Sequence, residues 1–284
     1  MRAGLSRAIE AATGRRPSRM ARLSGGCIAE TYEVEFEDGG RVVAKFSASE
    51  GSLALEGWML GYLQRHSRLP VPAVLHADDS LLVIDYVATS GGITPAVERH
   101  AAELLAALHQ VTAPAYGLGR DTLIGALPQP NPESADWLGF FRDHRLLHMA
   151  GLARDAGRLP GHLMHRIERL AARLDTWIEA PAPPSLIHGD MWTGNLLARD
   201  GRVAGFVDPA IYYADPEIEL AFGTLFGTFG TAFFERYGAL RPLRPGFFEA
   251  RRELYNLYPL LVHLRLFGGA YLAQVARTLD RFGA

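Results

Sequence analysis

The chain has 284 residues, of which 48% are hydrophobic and 21% charged, enough for one large or two medium globular domains. Its net charge of -2 and pI near 6.6 argue against a nucleic-acid-binding surface, and no apolar run reaches the roughly 18 residues that a membrane-spanning helix needs. A single cysteine, Cys27, excludes an internal disulfide framework. The N-terminal segment lacks the apolar core of a secretion signal. Together these features predict a cytoplasmic protein without nucleic-acid or membrane partners.

The N-terminal part of the chain is predicted to be a small antiparallel sheet with helices. Tyr32, Val34 and Phe36 alternate with glutamates, which is the period-2 pattern of a half-buried strand. The patterns predict, in chain order, a helix at 1–12, strands between 20 and 46 with a hairpin turn at 38–40, a helix at 52–66 and a strand at 81–87.

After residue 87 the chain becomes mainly helical. Helices are predicted near 95–111, 134–149 and 160–178, short strands and turns at 185–210, and helices over most of the remainder. The segment 112–133, rich in proline and glycine, is predicted to be an irregular loop of functional importance or high mobility. We therefore predict a nucleotide-binding lobe at 1–87 and a catalytic and substrate-binding lobe at 88–284, with the nucleotide in the cleft between them.

Lys45 is the only lysine in a chain that has 28 arginines. It lies in the predicted strand 41–46, downstream of Gly25-Gly26, and protein kinases place the lysine that holds nucleotide phosphates in the same way. Lysine has a compact ammonium on a flexible stem, whereas arginine has a wide planar guanidinium. The single lysine therefore indicates a role that arginine cannot fill. The alternative is an ordinary surface lysine that the composition happened to retain.

The strongest chemical signal is the run His188-Gly-Asp-Met-Trp-Thr-Gly-Asn195. Asp190 and Asn195 have the Asp-x-x-x-x-Asn spacing of kinase catalytic loops, in which the aspartate receives the proton of the acceptor hydroxyl and the asparagine binds magnesium. Asp208 ends an apolar strand, where a metal-binding carboxylate should project into the cleft. Each feature alone could be a polar turn or a strand-end cap, but together and downstream of Lys45 they predict a kinase that uses ATP and Mg²⁺.

A candidate phosphate loop lies between the predicted strands, with Gly25, Gly26, Cys27 and Ile28 at its centre. Its backbone N–H groups would cover the nucleotide phosphates, as in other anion-binding turns. Its sequence is neither Gly-x-Gly-x-x-Gly nor a Walker loop, so the motif alone is weak.

Two further parts of a nucleotide site are predicted near Lys45. Glu56, in the following helix, would form the lysine–glutamate pair that orients the phosphate contact, with Glu50 as a rival. The last strand of the small lobe ends in the candidate hinge, whose backbone would contact adenine: Asp85, Tyr86 and Val87.

These motifs resemble those of the fructosamine/ketosamine-3-kinase family, within the kinases of aminoglycoside-phosphotransferase-like fold. The resemblance covers about residues 20 to 275. It includes His-Gly-Asp-x-Trp-x-Gly-Asn at 188–195 and Asp-Pro-Ala-Ile-Tyr-Tyr at 208–213. Further similar stretches are 25–28, 125–131, 137–146, 254–258 and 263–269.

The resemblance implies an α+β, two-lobed, protein-kinase-like fold and ATP-dependent phosphorylation of the sugar 3-hydroxyl of a ketosamine, such as a fructosamine or ribulosamine. That reaction repairs glycated amines, because the phosphorylated adduct is unstable. Asp190 would be the base, Asn195 and Asp208 the metal ligands, and Lys45 the phosphate contact. Alternatives are a kinase for another small alcohol or amino sugar, such as choline or an aminoglycoside, and a nucleotide-binding pseudokinase.

Three residues each have two interpretations from the sequence. Trp192 is predicted to form an apolar wall for the sugar, or else to brace the catalytic loop. Tyr212 is predicted to line the acceptor site, or else to pack in the core. Cys27 is an inert loop residue or a redox-sensitive thiol that links two chains into a homodimer, because phosphate-loop N–H groups and Lys45 would favour its thiolate.

Overall fold

Five strands form the N-terminal sheet in the computed structural model, which describes residues 2–23, 29–47, 52–178 and 183–284. The strands are β1 (Pro17–Arg22), β2 (Glu30–Phe36), β3 (Arg41–Phe46), β4 (Val74–Ala77) and β5 (Leu81–Asp85), in the spatial order β1-β2-β3-β5-β4 with antiparallel pairing throughout. Two helices accompany them, α1 (Arg2–Thr13) and α2 (Ser52–His66).

Alternation along the strands gives this sheet two apolar faces. On one face, Val34 and Ala44 pack with Ile9 of α1. On the other, Leu82 and its neighbours pack against α2. Because successive strand residues point to opposite sides, one short sheet can hold a helix on each face.

The larger lobe is mainly helical. Its helices are α3 (Pro95–Leu108), α4 (Trp137–Phe141), α5 (His148–Asp155), α6 (Gly161–Ala171), α7 (Glu217–Leu225), α8 (Thr231–Leu240), α9 (Arg252–Phe267) and α10 (Leu272–Arg281). Its strands form three two-stranded pairs: β6 (Thr122–Ile124) with β7 (Leu127–Gln129), β8 (Ser185–Ile187) with β11 (Tyr212–Ala214), and β9 (Leu196–Arg199) with β10 (Arg202–Phe206).

Local sequence signals set several of these elements. Helix α3 begins after Thr94, whose hydroxyl accepts from the N–H of Val97, and Pro95 occupies its first turn. Helices α4 and α5 are joined without a break by a π-helical segment, Arg142–Leu147. The core around them is dominated by fully buried aromatic residues, among them Trp137.

The predicted order of elements is largely confirmed, with local corrections. Strand β4 was not predicted, and β5 ends at Asp85 instead of residue 87. The helix predicted at 160–178 ends at Ala171, and the segment predicted to be irregular, 112–133, contains the β6–β7 hairpin. No helix in the described ranges is long and apolar enough to cross a membrane.

Candidate active site

Lys45 connects the two lobes. It lies in the middle of the sheet, opposite Thr31 on one side and Leu82 on the other. Its Nζ donates to Glu56 Oε1 at 2.6 Å and to the carboxylate of Asp208. Burial opposes the charge of Lys45, but the attraction of the two carboxylates outweighs it and raises the Lys45 pKa. The lysine is therefore a permanent cation between the sheet and the metal-binding strand predicted from the sequence.

Helix α2 brings Glu56 into this ion pair. Glu56 lies in the second turn of the helix, and its side chain is 17% exposed. Glu50 lies outside the described residues. The geometry is that of the lysine–glutamate pair expected from the sequence.

The catalytic-loop candidate begins directly after β8. Gly189 has φ +87°, and a Cβ at this position would lie 2.0 Å from the carbonyl oxygen of Ala210. The two segments are also joined by a backbone hydrogen bond, since the N–H of Ala210 donates to the carbonyl of His188 at 2.8 Å. Glycine is therefore required where this loop crosses the segment that carries Asp208.

Asp190 and Asn195 are joined by hydrogen bonds. The Nδ2 of Asn195 donates to Asp190 Oδ2 at 2.8 Å and to the Asp190 carbonyl at 2.9 Å. The pKa of Asp190 is raised to about 7, chiefly by burial and also by the nearby charge of Asp208, against the lowering effect of the Asn195 hydrogen bond. A carboxylate with this pKa is suited to accept a proton near neutral pH.

Asp208 adopts a backbone conformation that is unusual for a residue with a side chain. Its φ is +54°, in the left-handed region. Neighbouring backbone bonds hold the segment in place, because Val207 N–H donates to the Asn195 carbonyl at 3.0 Å. Strain of this kind, of about 1 kcal/mol, is found at functional sites. Here it directs the Asp208 carboxylate to Lys45.

The donor atoms near Asp190 fit magnesium. With the Asn195 Nδ2 engaged by Asp190, the Asn195 Oδ1 has no hydrogen-bond partner among the described residues. A carboxylate and an amide oxygen are hard ligands, and Mg²⁺ is commonly bound by one or two protein oxygens together with phosphates and water. No group of three or more histidine, cysteine or acidic side chains that could hold a metal ion occurs in the described ranges.

The rest of the predicted nucleotide site is only partly described. Gly25, Gly26, Cys27 and Ile28 lie outside the described residues, between the end of β1 and the start of β2.

The predicted hinge lies where the two lobes meet. Asp85 is the exposed last residue of β5. The Arg41 guanidinium stacks on the ring of Tyr86 at 4.1 Å, and Val87 lies beside Gly205 of β10.

The two predicted acceptor residues differ in exposure. Trp192 is partly exposed next to Asp190 and covers Gly194, where a Cβ would lie 2.4 Å from the indole ring. Tyr212 is 1% exposed, and the Arg145 guanidinium stacks on its ring at 3.9 Å. Its burial favours the packing interpretation of Tyr212, whereas Trp192 is partly exposed.

Two buried polar residues brace the site and were given no role from the sequence. Glu219 Oε1 accepts from the N–H of Gly189 at 2.8 Å, and its Oε2 contacts His109 at 2.8 Å. Gln129 Nε2 donates to the Ala210 carbonyl at 3.0 Å. In the sequence Gln129 lies between two prolines, and Glu219 lies in the first turn of a helix, where acids are common.

Further from the cleft, buried charges join α7 to the π-helical segment before α9, Phe247–Arg251. Glu217 accepts from Arg251 Nε at 2.5 Å and Arg251 Nη2 at 3.0 Å, and it also accepts from Arg244. Asp215 accepts from Tyr255 OH at 2.6 Å and from Arg244. This network fixes the segment that follows β11.

Comparison with known proteins gives consistent relatives. A probable ketoamine kinase from Synechocystis sp. is 34% identical over 271 residues, covering 91% of this chain and 88% of the relative. The chloroplastic protein-ribulosamine 3-kinase of Arabidopsis thaliana is 31% identical over 284 residues, covering 93% and 82%. A crystal structure assigned as a fructosamine-3-kinase from Thermobifida fusca superposes with a TM-score of 0.87 at 32% identity, covering 98% of both chains.

More distant solved structures share the fold alone. Aminoglycoside phosphotransferases align over at least 98% of this chain with TM-scores of 0.68 to 0.70 at 15% to 18% identity. The predicted two-lobed, protein-kinase-like α+β fold is therefore confirmed. The sequence model described as fructosamine kinase matches residues 1–283. The chain thus belongs to the fructosamine kinase family.

Proposed function

We propose that the protein transfers the γ-phosphoryl group of ATP to the sugar 3-hydroxyl of a ketosamine. One observation carries the proposal: Asp190, hydrogen-bonded to Asn195, lies beside an Asp208 carboxylate that is paired with Lys45. This is the set of groups that phosphoryl transfer needs, namely a base, oxygen ligands and a phosphate-binding cation. The relatives named for ketoamines and ribulosamines give the acceptor class.

In this proposal Asp190 is the general base. One oxygen is held by the Asn195 amide, so the carboxylate is fixed and its other oxygen can accept the proton of the attacking hydroxyl. The hydroxyl oxygen then forms the new bond to phosphorus while the bond from phosphorus to the leaving oxygen of ADP breaks. Because little covalent chemistry falls to the protein, positioning and charge neutralisation account for most of the rate.

Asn195 Oδ1 and Asp208 would hold Mg²⁺, which supplies positive charge to the phosphates when bound. Lys45 would contact the phosphates from the sheet side, with Glu56 holding its ammonium in place. The partly exposed indole of Trp192 would then form an apolar wall for the sugar. Each of these roles follows from position and chemistry.

The test is ADP release by purified protein with Mg²⁺-ATP and a panel of ribulose-lysine, fructose-lysine, choline and an aminoglycoside. We expect turnover on the ketosamines only. Turnover confined to choline or the aminoglycoside would replace the proposal by another small-alcohol kinase. ATP binding without turnover on any member of the panel would favour a pseudokinase.

Asp190→Asn tests the base directly. The variant should lose at least two to three orders of magnitude in turnover while still binding ATP, because positioning survives and proton transfer does not. Asp200→Asn is the matched control, since Asp200 lies in an exposed hairpin turn with φ +50°, which asparagine tolerates. Near-normal turnover of Asp190→Asn would refute the assigned role.

A further inference from the structure

Helix α2 belongs to the cores of both lobes. Leu53 and Leu60 pack with the sheet residues Leu82 and Ile84. Met59, one position away from Leu60, is buried in the core of the larger lobe. The helix that carries Glu56 therefore has one apolar face on each lobe.

Side-chain contacts at the second face are specific. The hydroxyl of Tyr62 lies 3.1 Å from the hydroxyl of Tyr213. The Arg120 guanidinium lies over the ring of Trp58 at 4.8 Å, and the Trp58 and Tyr62 rings are 5.4 Å apart. These contacts join α2 to two separate parts of the larger lobe.

Tyr213 is directly connected to the catalytic-loop candidate. It lies in β11, opposite Leu186 of β8, and β8 runs into His188-Gly189-Asp190. A second backbone pair fixes Tyr213 from the other side, since Gly117 N–H donates to its carbonyl and its own N–H donates to the Gly117 carbonyl, both at 2.9 Å. The Tyr62–Tyr213 contact thus links a helix to a strand whose position is already set.

We propose that Tyr62 and Tyr213 are positioning residues for phosphoryl transfer: their hydroxyl contact sets the distance between the helix that holds Glu56 and the strand pair that leads into the Asp190 loop. Glu56 and Tyr62 are six residues apart on α2, about 9 Å along the helix axis. A small rotation of the helix at Tyr62 therefore moves Glu56 relative to Lys45. The Arg120–Trp58 contact holds the same face of the helix.

This inference rests on the phosphoryl transfer proposed above but not on the identity of the acceptor. Tyr62→Phe and Tyr213→Phe each remove one hydroxyl and keep the ring. A hydrogen bond of ordinary strength corresponds to about a three- to tenfold change in an equilibrium or rate. We expect each variant to lower kcat/KM for Mg²⁺-ATP by roughly that factor, mainly through KM and the affinity for nucleotide.

The double variant Tyr62→Phe/Tyr213→Phe decides between coupling and two independent effects. If the two hydroxyls act as one contact, the double variant is no worse than either single variant. Losses that multiply would overturn the proposal, because they indicate two independent effects. Single variants with unchanged kcat/KM, whatever their melting temperature, would also overturn it, because they indicate that the contact does not position the site. Gln64→Ala, at an exposed position of the same helix, is the control and should keep wild-type kinetics.

Arg120 gives a second, independent readout. Arg120→Lys retains a cation over Trp58, so it should keep more nucleotide affinity than Arg120→Gln. Equal affinities in the two variants would count against the contact. Calorimetric binding of Mg²⁺-ATP needs no acceptor. The nucleotide affinities of the variants therefore test the inference even if the wild-type protein phosphorylates no member of the panel. A wild-type protein that binds no Mg²⁺-ATP would overturn both the proposed function and this inference.

Discussion

As the proposed general base, Asp190 meets two opposing demands, since it must be ionised and yet partly shielded from water. Burial keeps its carboxyl group protonated to higher pH than usual, while the Asn195 amide stabilises the ionised form. The resulting pKa of about 7 places the change of protonation state within the physiological range. We therefore expect the pH dependence of turnover to follow the protonation state of Asp190.

The pH profile tests this property. Below a pKa of about 7 Asp190 is protonated and cannot accept the hydroxyl proton, so kcat/KM should fall about tenfold for each unit of pH and level off above 7. The profile is measured with one acceptor from pH 5.5 to 8.5. The residual activity of Asp190→Asn is the control and should not show this step. A wild-type profile that is flat down to pH 5.5 would contradict the assignment.

Gly189 is the second residue whose role can be isolated. Gly189→Ala forces a Cβ against the Ala210 carbonyl at 2.0 Å and also strains a φ of +87°. We expect a loss of at least two orders of magnitude in turnover, or failure to fold, because the loop and the Asp208 segment must separate. Activity and thermal unfolding are measured together.

Gly201→Ala is the matched control for backbone strain. Its φ is +73°, but a Cβ there would meet no atom within 4 Å. It should cost about 1 kcal/mol of stability and leave turnover intact. If Gly189→Ala kept its turnover as Gly201→Ala is expected to, the close approach of Gly189 to Ala210 would not matter for catalysis.

Secondary-structure elements could be predicted from the sequence where a residue pattern repeated several times, and could not where the element was too short for a repeat. The alternation of Val34 and Phe36 with glutamates predicted β2, and the kinase-like spacing predicted the positions of Asp190 and Asn195. Strand β4 has four residues and β6 has three, too few for a period-2 pattern to emerge.

The buried charges could not be predicted for a different reason. Glu217 and Glu219 lie in the first turn of a helix, where acids are common on the surface, so local sequence gave no sign of their burial. Their partners come from distant segments: Arg251 for Glu217, and His109 for Glu219. Only the tertiary fold shows that these acids are structural.

Glu217→Gln tests the buried network. Glu217 is almost inaccessible and binds Arg251 through both oxygens, so its loss of charge leaves two arginines without full compensation. The free energy of unfolding should fall by about 3 to 5 kcal/mol. Thermal or denaturant unfolding measures it, and turnover well below the melting temperature should be near normal.

Glu253→Gln provides the comparison for Glu217→Gln. Glu253 pairs with Arg281 at 2.8 Å, but both side chains are solvent-exposed to a substantial degree. A surface pair of this kind contributes at most about 1 kcal/mol. Equal losses in the two variants would show that burial adds nothing to the Glu217 network.

For the whole molecule, the two-lobed fold was predictable, but the way the lobes are joined was not. The proposed boundary at residue 87 falls between β5, which ends at Asp85, and α3, which begins at Pro95. Yet Met59 and Leu63 of α2, before that boundary, are buried in the core of the larger lobe. A helix with two apolar faces has little periodic contrast, so its second partner could not be identified from the sequence.

The single lysine has a consequence for the protein's own chemistry with sugars. Unprotonated amines attack the carbonyl carbon of reducing sugars. Lys45, the only lysine, is 10% exposed, and its ammonium is held by Glu56 and Asp208. Apart from an N-terminal amine, the chain offers sugars no reactive amine. We expect mass spectrometry after incubation with ribose to find no adduct on Lys45 in the folded protein.

Arg16→Lys is the positive control, because the Arg16 side chain is 70% exposed and the new amine should be modified. An adduct on Lys45 that forms as fast as the one at position 16 would contradict the expectation. A kinase of ketosamines whose only lysine is shielded can work at high sugar concentrations without that lysine becoming a substrate.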